Sequence, residues 1–177
     1  MENYAEKELS NGGGCKNSMS PAGAFLKRTA DILMSAMGMV ILSPLYLVIW
    51  VAIKIESPGP AIFRQERIGL GGRPFTLYKF RSMVADAEHD GIPALCGESD
   101  DRLTGVGAFI RRHHLDELPQ LWNVLAGDMS MVGYRPERQY FIDKIMAENP
   151  DYERLFQIRP GVFSAATLYN GYTDTME

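Results

Sequence analysis

The chain has 177 residues, 18 Lys and Arg against 22 Asp and Glu for a formal net charge of -4, and two cysteines, Cys15 and Cys96. That length suits one domain with appendages. The acidic balance argues against a nucleic-acid partner, which would want surplus Lys and Arg, and two distant cysteines exclude both a secreted disulfide framework and a C-x-x-C motif.

Residues 1–23 are polar and Gly-rich without apolar period, and are predicted to form a flexible tail. Gly12-Gly13-Gly14-Cys15 invites a lipidated-cysteine reading, but no apolar signal stretch precedes it. Residues 24–56 form the next segment. Within it Ile32 to Ile53 is a run of 22 residues without a charge, long enough to cross a hydrocarbon core of about 30 Å at about 1.5 Å per residue. Pro44 interrupts it, removing the hydrogen bond to the Val40 carbonyl, and Ser43 can bond back to a freed carbonyl. Each arm then reaches only about halfway through the core, roughly 15 to 18 Å. Lys27 and Arg28 precede the run and Lys54, Arg64 and Arg67 follow it, so charge sets little orientation. The expectation is a re-entrant helix-break-helix hairpin with both ends on one face. A plain transmembrane helix, a signal peptide and a buried soluble helix are the competing readings.

Residues 57–177 are predicted to form the catalytic domain. "AIFRQERIG" and "PFTLYKFRSM" flank Gly69 to Gly72, a β-hairpin signature. A short acidic helix from about Met83 to His89 and a polar loop follow. Helical patterns then cover 105–113 and 116–126, the latter with Leu118, Leu121, Trp122 and Leu125 on one face and Gly127 as its stop. A further helix lies between Pro136 and Pro150, and a short one over 151–158 precedes the Arg159-Pro160-Gly161 turn. The fold class is α+β, mainly helical.

Nucleotide motifs fail: "GLGG" and "GVGAFI" lack the third glycine of G-x-G-x-x-G, and there is no G-x-x-x-x-G-K-[ST] loop. His113 and His114 bring no partner ligands for a metal and no visible orienting group for a general base. Asp86, Glu88, Asp100 and Asp101 read as loop and cap acids. Asp116 and Glu117 are different, because they lie between a basic pair and a helical pattern. If the helix starts at Glu117, Asp116 is its N-cap and Pro119 falls in the first turn. The same acids can simply answer the helix dipole, with Arg111 and Arg112 solvated. The functional alternative uses the helix start as an anion site, with Arg111 and Arg135 clamping phosphate oxygens. Those surroundings would keep a carboxylate ionised for attack on phosphorus or for Mg²⁺ binding. A diphosphate needs both neutralisation and attack, one acid for each job. Lys79 and Arg81 are expected to point into the same site from the hairpin, with strand-edge solubility as the equal explanation.

From Lys27 to Gly161 the chain resembles the bacterial sugar transferases, the monotopic phosphoglycosyl transferases that attach a sugar phosphate to a polyprenyl phosphate. The resemblance rests on "KRTADI", Ser43-Pro44, "KIESPGPAIFRQERIG", "FTLYKFRSM" and, most specifically, "LDELPQLWNVLAGDMSMVG" followed by "RPE". It implies a re-entrant helix kinked at Ser43-Pro44, a small domain of alternating helices with an associated β-hairpin, and a location on the cytoplasmic face of the bacterial inner membrane. It further implies that Asp116 attacks the sugar-linked phosphate of a UDP-sugar, that Glu117 binds Mg²⁺, and that undecaprenyl phosphate then takes the phosphosugar from the aspartyl intermediate. UMP is the expected leaving group. Arg111 and the pair Arg135-Pro136 match the family's phosphate- and nucleotide-binding positions. The lipid bilayer is an implied partner, nucleic acid is not, and a homodimer stays open. Tyr134 replaces the first proline of the family's Pro-Arg-Pro element, and "RPGVFSAATLYNGYTDT" lacks the usual Thr-Gly and Gln-Val-Asn-Gly-Arg run. The remaining alternatives are a non-catalytic membrane-anchored binder of nucleotide sugars or lipid phosphates, and a single-displacement enzyme with Asp116 as base.

Overall fold

The computed structural model describes residues 19–84, 87 and 100–164. Cys15, Cys96, Asp86, Glu88 and most of the expected acidic helix lie outside them. Helix α1 (Pro21–Ile41) begins three residues before the expected boundary. Ser20 caps it by accepting the Gly23 N–H at 3.1 Å, with Pro21 where its missing N–H costs nothing. Helix α2 (Ser43–Glu56) follows after the single residue Leu42, and the two axes differ by 61°. The break has the expected chemistry: Ser43 Oγ donates at 2.8 Å to the Val40 carbonyl that Pro44 cannot reach. No single helix among the described residues is long and apolar enough to cross a membrane. Phe25, Leu33, Val40 and Ile41 on α1, and Leu47, Val48 and Ile55 on α2, are all exposed.

The inner face of α1 is polar where it meets the rest of the chain. Asp31, almost fully buried, accepts from the Met131 N–H at 3.0 Å, from Ser130 Oγ at 2.9 Å and from Lys27 Nζ at 3.3 Å. Lys27 also donates to Ser130 Oγ and to the Val132 carbonyl. Lower on the same face Gly38 lets Leu121 come close, since a Cβ there would lie 3.2 Å from Leu121 Cδ1. Asp31→Asn would keep one acceptor but turn an amide N–H₂ toward Lys27, so we expect a loss of about 1–2 kcal/mol and a melting midpoint lower by about 3–6 °C. Thermal unfolding of the purified chain checks this.

Strands β1 (Ile62–Ile68) and β2 (Pro74–Phe80) form the expected antiparallel hairpin, Ile62 opposite Phe80 and Ile68 opposite Pro74. Gly71 and Gly72 take positive φ in the connection, the conformation the glycines were expected to supply. The hairpin is packed at several points rather than on one simple face. Phe80 is buried with Ile49 and Ile53 of α2, Ala61 and Ile110, while Leu77 joins a cluster with Val124 and Met129. Ile68 joins a third, with Tyr134, Ile142 and Phe156. Each such side chain contributes about 1.5–3 kcal/mol of hydrophobic stabilisation.

The later elements are helix α3 (Gly105–Arg112), a 3₁₀ turn (Leu115–Glu117), α4 (Gln120–Ala126), strand β3 (Ser130–Val132), α5 (Gln139–Glu148), a 3₁₀ helix (Pro150–Gln157) and strand β4 (Gly161–Phe163). Two differences from expectation stand out. Met83, the expected first residue of the acidic helix, instead bridges Leu103 in antiparallel fashion. Strands β3 and β4 pair in parallel, unanticipated because each has only three residues. Gly133 and Gly161 make that pairing possible: a Cβ on Gly161 would sit 2.0 Å from the Gly133 nitrogen. Tyr134 is a core residue there, its ring edge-on to Phe156 at 6.0 Å, and its carbonyl accepts the Gly161 N–H at 2.8 Å.

Candidate active site

The segment carrying the paired acids is built by two turns that reverse the chain. Thr104 caps α3 by accepting the Gly107 N–H at 2.9 Å, and Glu56 at the end of α2 accepts the Val106 N–H through both oxygens, at 3.0 and 3.1 Å. Gly107 lies so close to Ser82 that a Cβ would meet its carbonyl oxygen at 1.8 Å, which seats α3 against the chain leaving β2. Arg111 is in the last turn of α3. His114 then adopts the left-handed conformation (φ 55°), and the chain enters the 3₁₀ turn Leu115–Glu117.

Asp116 is therefore not a helix N-cap. Pro119 has no N–H to donate back to Leu115, the path tightens, and the Leu118 N–H bonds Leu115 at 3.3 Å. Helix α4 starts only at Gln120, one turn beyond the acids. Its faces also differ from expectation. Trp122 is 52 % exposed, whereas Asn123 and Val124 are fully buried. Asn123 earns that position by hydrogen bonding: its Oδ1 accepts the Tyr78 N–H at 3.1 Å and its Nδ2 donates to the Thr76 carbonyl at 2.7 Å, so one amide pairs α4 with the edge of β2.

Asp116 is 5 % exposed, and its Oδ1 is buried without a hydrogen-bond partner. Burial pushes its carboxyl up to about 6, with neighbouring Glu117 adding to the rise, against the opposing pull of Lys79 and Arg111. The expectation that surrounding cations would hold it fully ionised thus meets a competing desolvation that is larger. Glu117 faces Lys79 of β2, with Nζ 2.7 Å from Oε1 and both side chains mostly buried. Lys79 is placed at the acids as expected.

Beside this pair opens a shallow cleft, continuous with solvent. Lys79, Arg67 and Arg135 supply its positive charge, and Glu117, Gln120 and Ser164 its other polar groups. Pro136 lines the same cleft. Arg67 is bound to the Pro136 carbonyl at 3.2 Å and to Glu137 at 2.9 Å, and burial lowers its pKa from the ordinary arginine value. Arg135 Nε lies 3.4 Å from the same Glu137. Arg111 acts on Asp116 from α3 but does not line the cleft. Among the described residues no three His, Cys, Asp or Glu side chains converge as a metal cluster. His113 turns its Nδ1 to the Phe109 carbonyl at 2.8 Å.

Arg81 departs from its expected place. It is buried away from the acids, donating to the Ser57 and Pro58 carbonyls at 2.8 and 2.7 Å and to Ser57 Oγ, and so ties the end of β2 to the chain leaving α2. Alternation explains this: Lys79 and Arg81 flank Phe80, but the strand ends at Phe80 and the next residue no longer follows its register. Conversely Gln120, Ser164 and Asn123 had no sequence signal. Arg67 was visible only as one flanking charge of the apolar run.

Comparison with known proteins bears on the same residues. Residues 22–177 match the family model for the bacterial sugar transferase. A relative from Aeromonas hydrophila, a UDP-N-acetylgalactosamine-undecaprenyl-phosphate N-acetylgalactosaminephosphotransferase, is 46 % identical over 153 residues, 86 % of this chain and 36 % of the relative. A Bacillus subtilis protein provisionally named as an undecaprenyl-phosphate N-acetylgalactosaminyl 1-phosphate transferase is 51 % identical over 127 residues, 72 % of this chain and 70 % of its own length. A UDP-glucose:undecaprenyl-phosphate glucose-1-phosphate transferase from Caulobacter vibrioides is 44 % identical over 153 residues, 85 % of this chain and 57 % of the relative. The chain thus spans between 36 % and 70 % of the lengths of these three relatives. With the family match running through the kinked helix, the acid pair and the cationic cleft alike, the chain belongs to the bacterial sugar transferase family.

Proposed function

We propose that the chain transfers a sugar 1-phosphate from a UDP-sugar to undecaprenyl phosphate, in two steps through Asp116. In the first, an Asp116 carboxylate oxygen forms a bond to the phosphorus that carries the sugar, and the bond from that phosphorus to the bridging oxygen breaks. UMP leaves with the bond's electron pair. In the second, a phosphate oxygen of undecaprenyl phosphate forms a bond to the same phosphorus and the aspartyl oxygen leaves, so the carboxylate is restored and a polyprenyl diphosphate sugar is released. The observation that carries this reading is the buried Asp116 oxygen without a partner, a costly group in a packed interior, on the residue next to Glu117, which lines a cleft with three cations.

The residues around the cleft fit the charge of such a donor. Arg67, held by Gln65, the Pro136 carbonyl and Glu137, and Arg135, which meets the same Glu137, keep two positive charges at the cleft where a diphosphate would seat. Lys79 is the cation nearest the reacting pair, and an incoming diphosphate would compete with Glu117 for it. Release of Lys79 would remove one partner of Glu117. Mg²⁺ bound through one or two carboxylates and substrate phosphates, its usual mode, would neutralise the diphosphate, and Glu117 is the acid that would hold it while Asp116 attacks. The bent pair α1–α2 enters one leaflet of the cytoplasmic membrane and returns, its exposed apolar side chains in lipid, so that the domain 57–177 stands on the cytoplasmic face.

The purified chain in phospholipid nanodiscs, given UDP-N-acetylgalactosamine or UDP-glucose and undecaprenyl phosphate, is expected to release UMP. Chelation by EDTA should suppress this by at least about 10²-fold and added Mg²⁺ should restore it. Donor binding without any UMP would favour a non-catalytic membrane-anchored binder.

A further inference from the structure

The membrane hairpin reaches the reacting segment through side chains that end on its main chain. Tyr46, in the first turn of α2 after the Ser43-Pro44 break, donates its hydroxyl to the Leu118 carbonyl, one residue beyond Glu117. The same carbonyl accepts the Leu121 N–H at 3.1 Å, so Tyr46 touches the point where the acid-bearing turn passes into α4. At the other end of α4, Arg28 of α1 donates its two terminal nitrogens to the Val124 and Leu125 carbonyls, at 2.7 and 3.0 Å. Those are carbonyls of the last helical turn, where a cation also meets the negative end of the helix. The third tie is Glu56, which caps the helix carrying Arg111. Between these polar ties, Leu115 and Leu118 pack against the cluster of Ile49, Ile53, Phe80 and Ile110.

The geometry points to Tyr46 as a positioning residue for the transfer reaction, with Arg28 fixing the opposite end of the same segment. This inference rests on the assignment of Asp116 and Glu117 as the reacting pair. Two bent arms, one residue apart, hold the segment 115–127 at both ends, so the angle at Leu42 sets where the acids stand. The hydroxyl is separable from packing. The Tyr46 ring is edge-on to Phe80 at 5.4 Å, a contact that phenylalanine would keep. Losing the hydroxyl leaves the carbonyl its Leu121 partner and so costs little stability, but it releases the turn that aims Asp116. Catalysis is sensitive to such small misplacements.

Tyr46→Phe tests this in the full chain in nanodiscs, with UDP-N-acetylgalactosamine and undecaprenyl phosphate as substrates and UMP as readout. We expect kcat to fall about tenfold, with KM for the donor within about twofold and the melting midpoint within about 3 °C of wild type. An unchanged kcat would overturn the inference, as would a kcat loss accompanied by a matching rise in KM and a large fall in the melting midpoint. Should Tyr46→Phe not fold, Arg28→Lys replaces the fork by a single ammonium, and the same selective loss of kcat is expected. An Arg28→Lys enzyme with wild-type kcat would then overturn it. No UMP from the wild-type chain would instead overturn the assignment of the acid pair, and this inference with it.

Discussion

Asp116→Asn is expected to lower UMP release by at least about 10⁴-fold, the scale on which a nucleophile's removal is felt, while making the folded chain more stable at pH 8. Both effects come from one property. The carboxyl is buried with an unpartnered oxygen, and burial raises its pKa to about 6 from an ordinary 3.8. The folded chain therefore holds its proton more tightly than the unfolded chain. Above about pH 6 the ionised group opposes folding, and as pH falls toward about 4 that cost disappears because the folded state takes up the proton first. The asparagine variant has no such cost at any pH. Measured in EDTA to keep metal binding out of the comparison, the variant should melt higher than wild type by several degrees at pH 8, an advantage of order 1–3 kcal/mol. The difference should shrink steadily toward pH 4.5. A variant that is less stable at pH 8, or equally active, would show that Asp116 is not a buried, ionised nucleophile.

Lys79→Met should have the second largest effect. Its Nζ is 2.7 Å from Glu117 Oε1, and it is the strongest force holding the Asp116 pKa down. Without it two adjacent carboxylates remain in a mostly buried site, Glu117 loses one cationic partner, and Asp116 becomes protonated at still higher pH. We expect kcat/KM at pH 7 to fall by about 10²- to 10³-fold, partly because less of the nucleophile is ionised. The fold should lose about 2–4 kcal/mol from the broken ion pair. Activity lost through ionisation returns as the buffer is made more alkaline, so the rate ratio between wild type and variant should narrow from pH 7 to pH 9. A ratio independent of pH would mean that Lys79 acts on the donor alone.

Much of the architecture was legible because it follows from short-range rules. Pro44 and Ser43 announce a broken helix, and both the break and the Ser43 hydrogen bond to Val40 are present. The glycine turn between two alternating segments announces the hairpin. What escaped depends on contacts distant in sequence. Three-residue strands β3 and β4 are stabilised by the close approach of Gly133 and Gly161, which no local pattern encodes. Trp122 fitted an apolar stripe, but the hydrogen bonds of Asn123 to β2 rotate α4 and leave the indole exposed. For the site, residue type and adjacency singled out Asp116, Glu117, Arg111 and Arg135 and, more weakly, Lys79; Glu117, Lys79 and Arg135 line one cleft, whereas Asp116 and Arg111 do not. Strand alternation could not tell that β2 ends at Phe80, so Arg81 was expected where only Lys79 reaches. Arg67 enters the cleft through the hairpin's register with the segment around Pro136, again a distant contact.

Two-step transfer requires a covalent bond between Asp116 and the donor's sugar-bearing phosphate. Intact-protein mass spectrometry after incubation with UDP-sugar and Mg²⁺, with no acceptor present, reads it directly. The wild-type chain is expected to gain the mass of one sugar phosphate, with about one UMP released per chain, the added mass to be lost on supplying undecaprenyl phosphate, and Asp116→Asn to gain nothing. An unmodified wild-type mass under conditions where the complete reaction turns over, or an adduct that persists in Asp116→Asn, would contradict it.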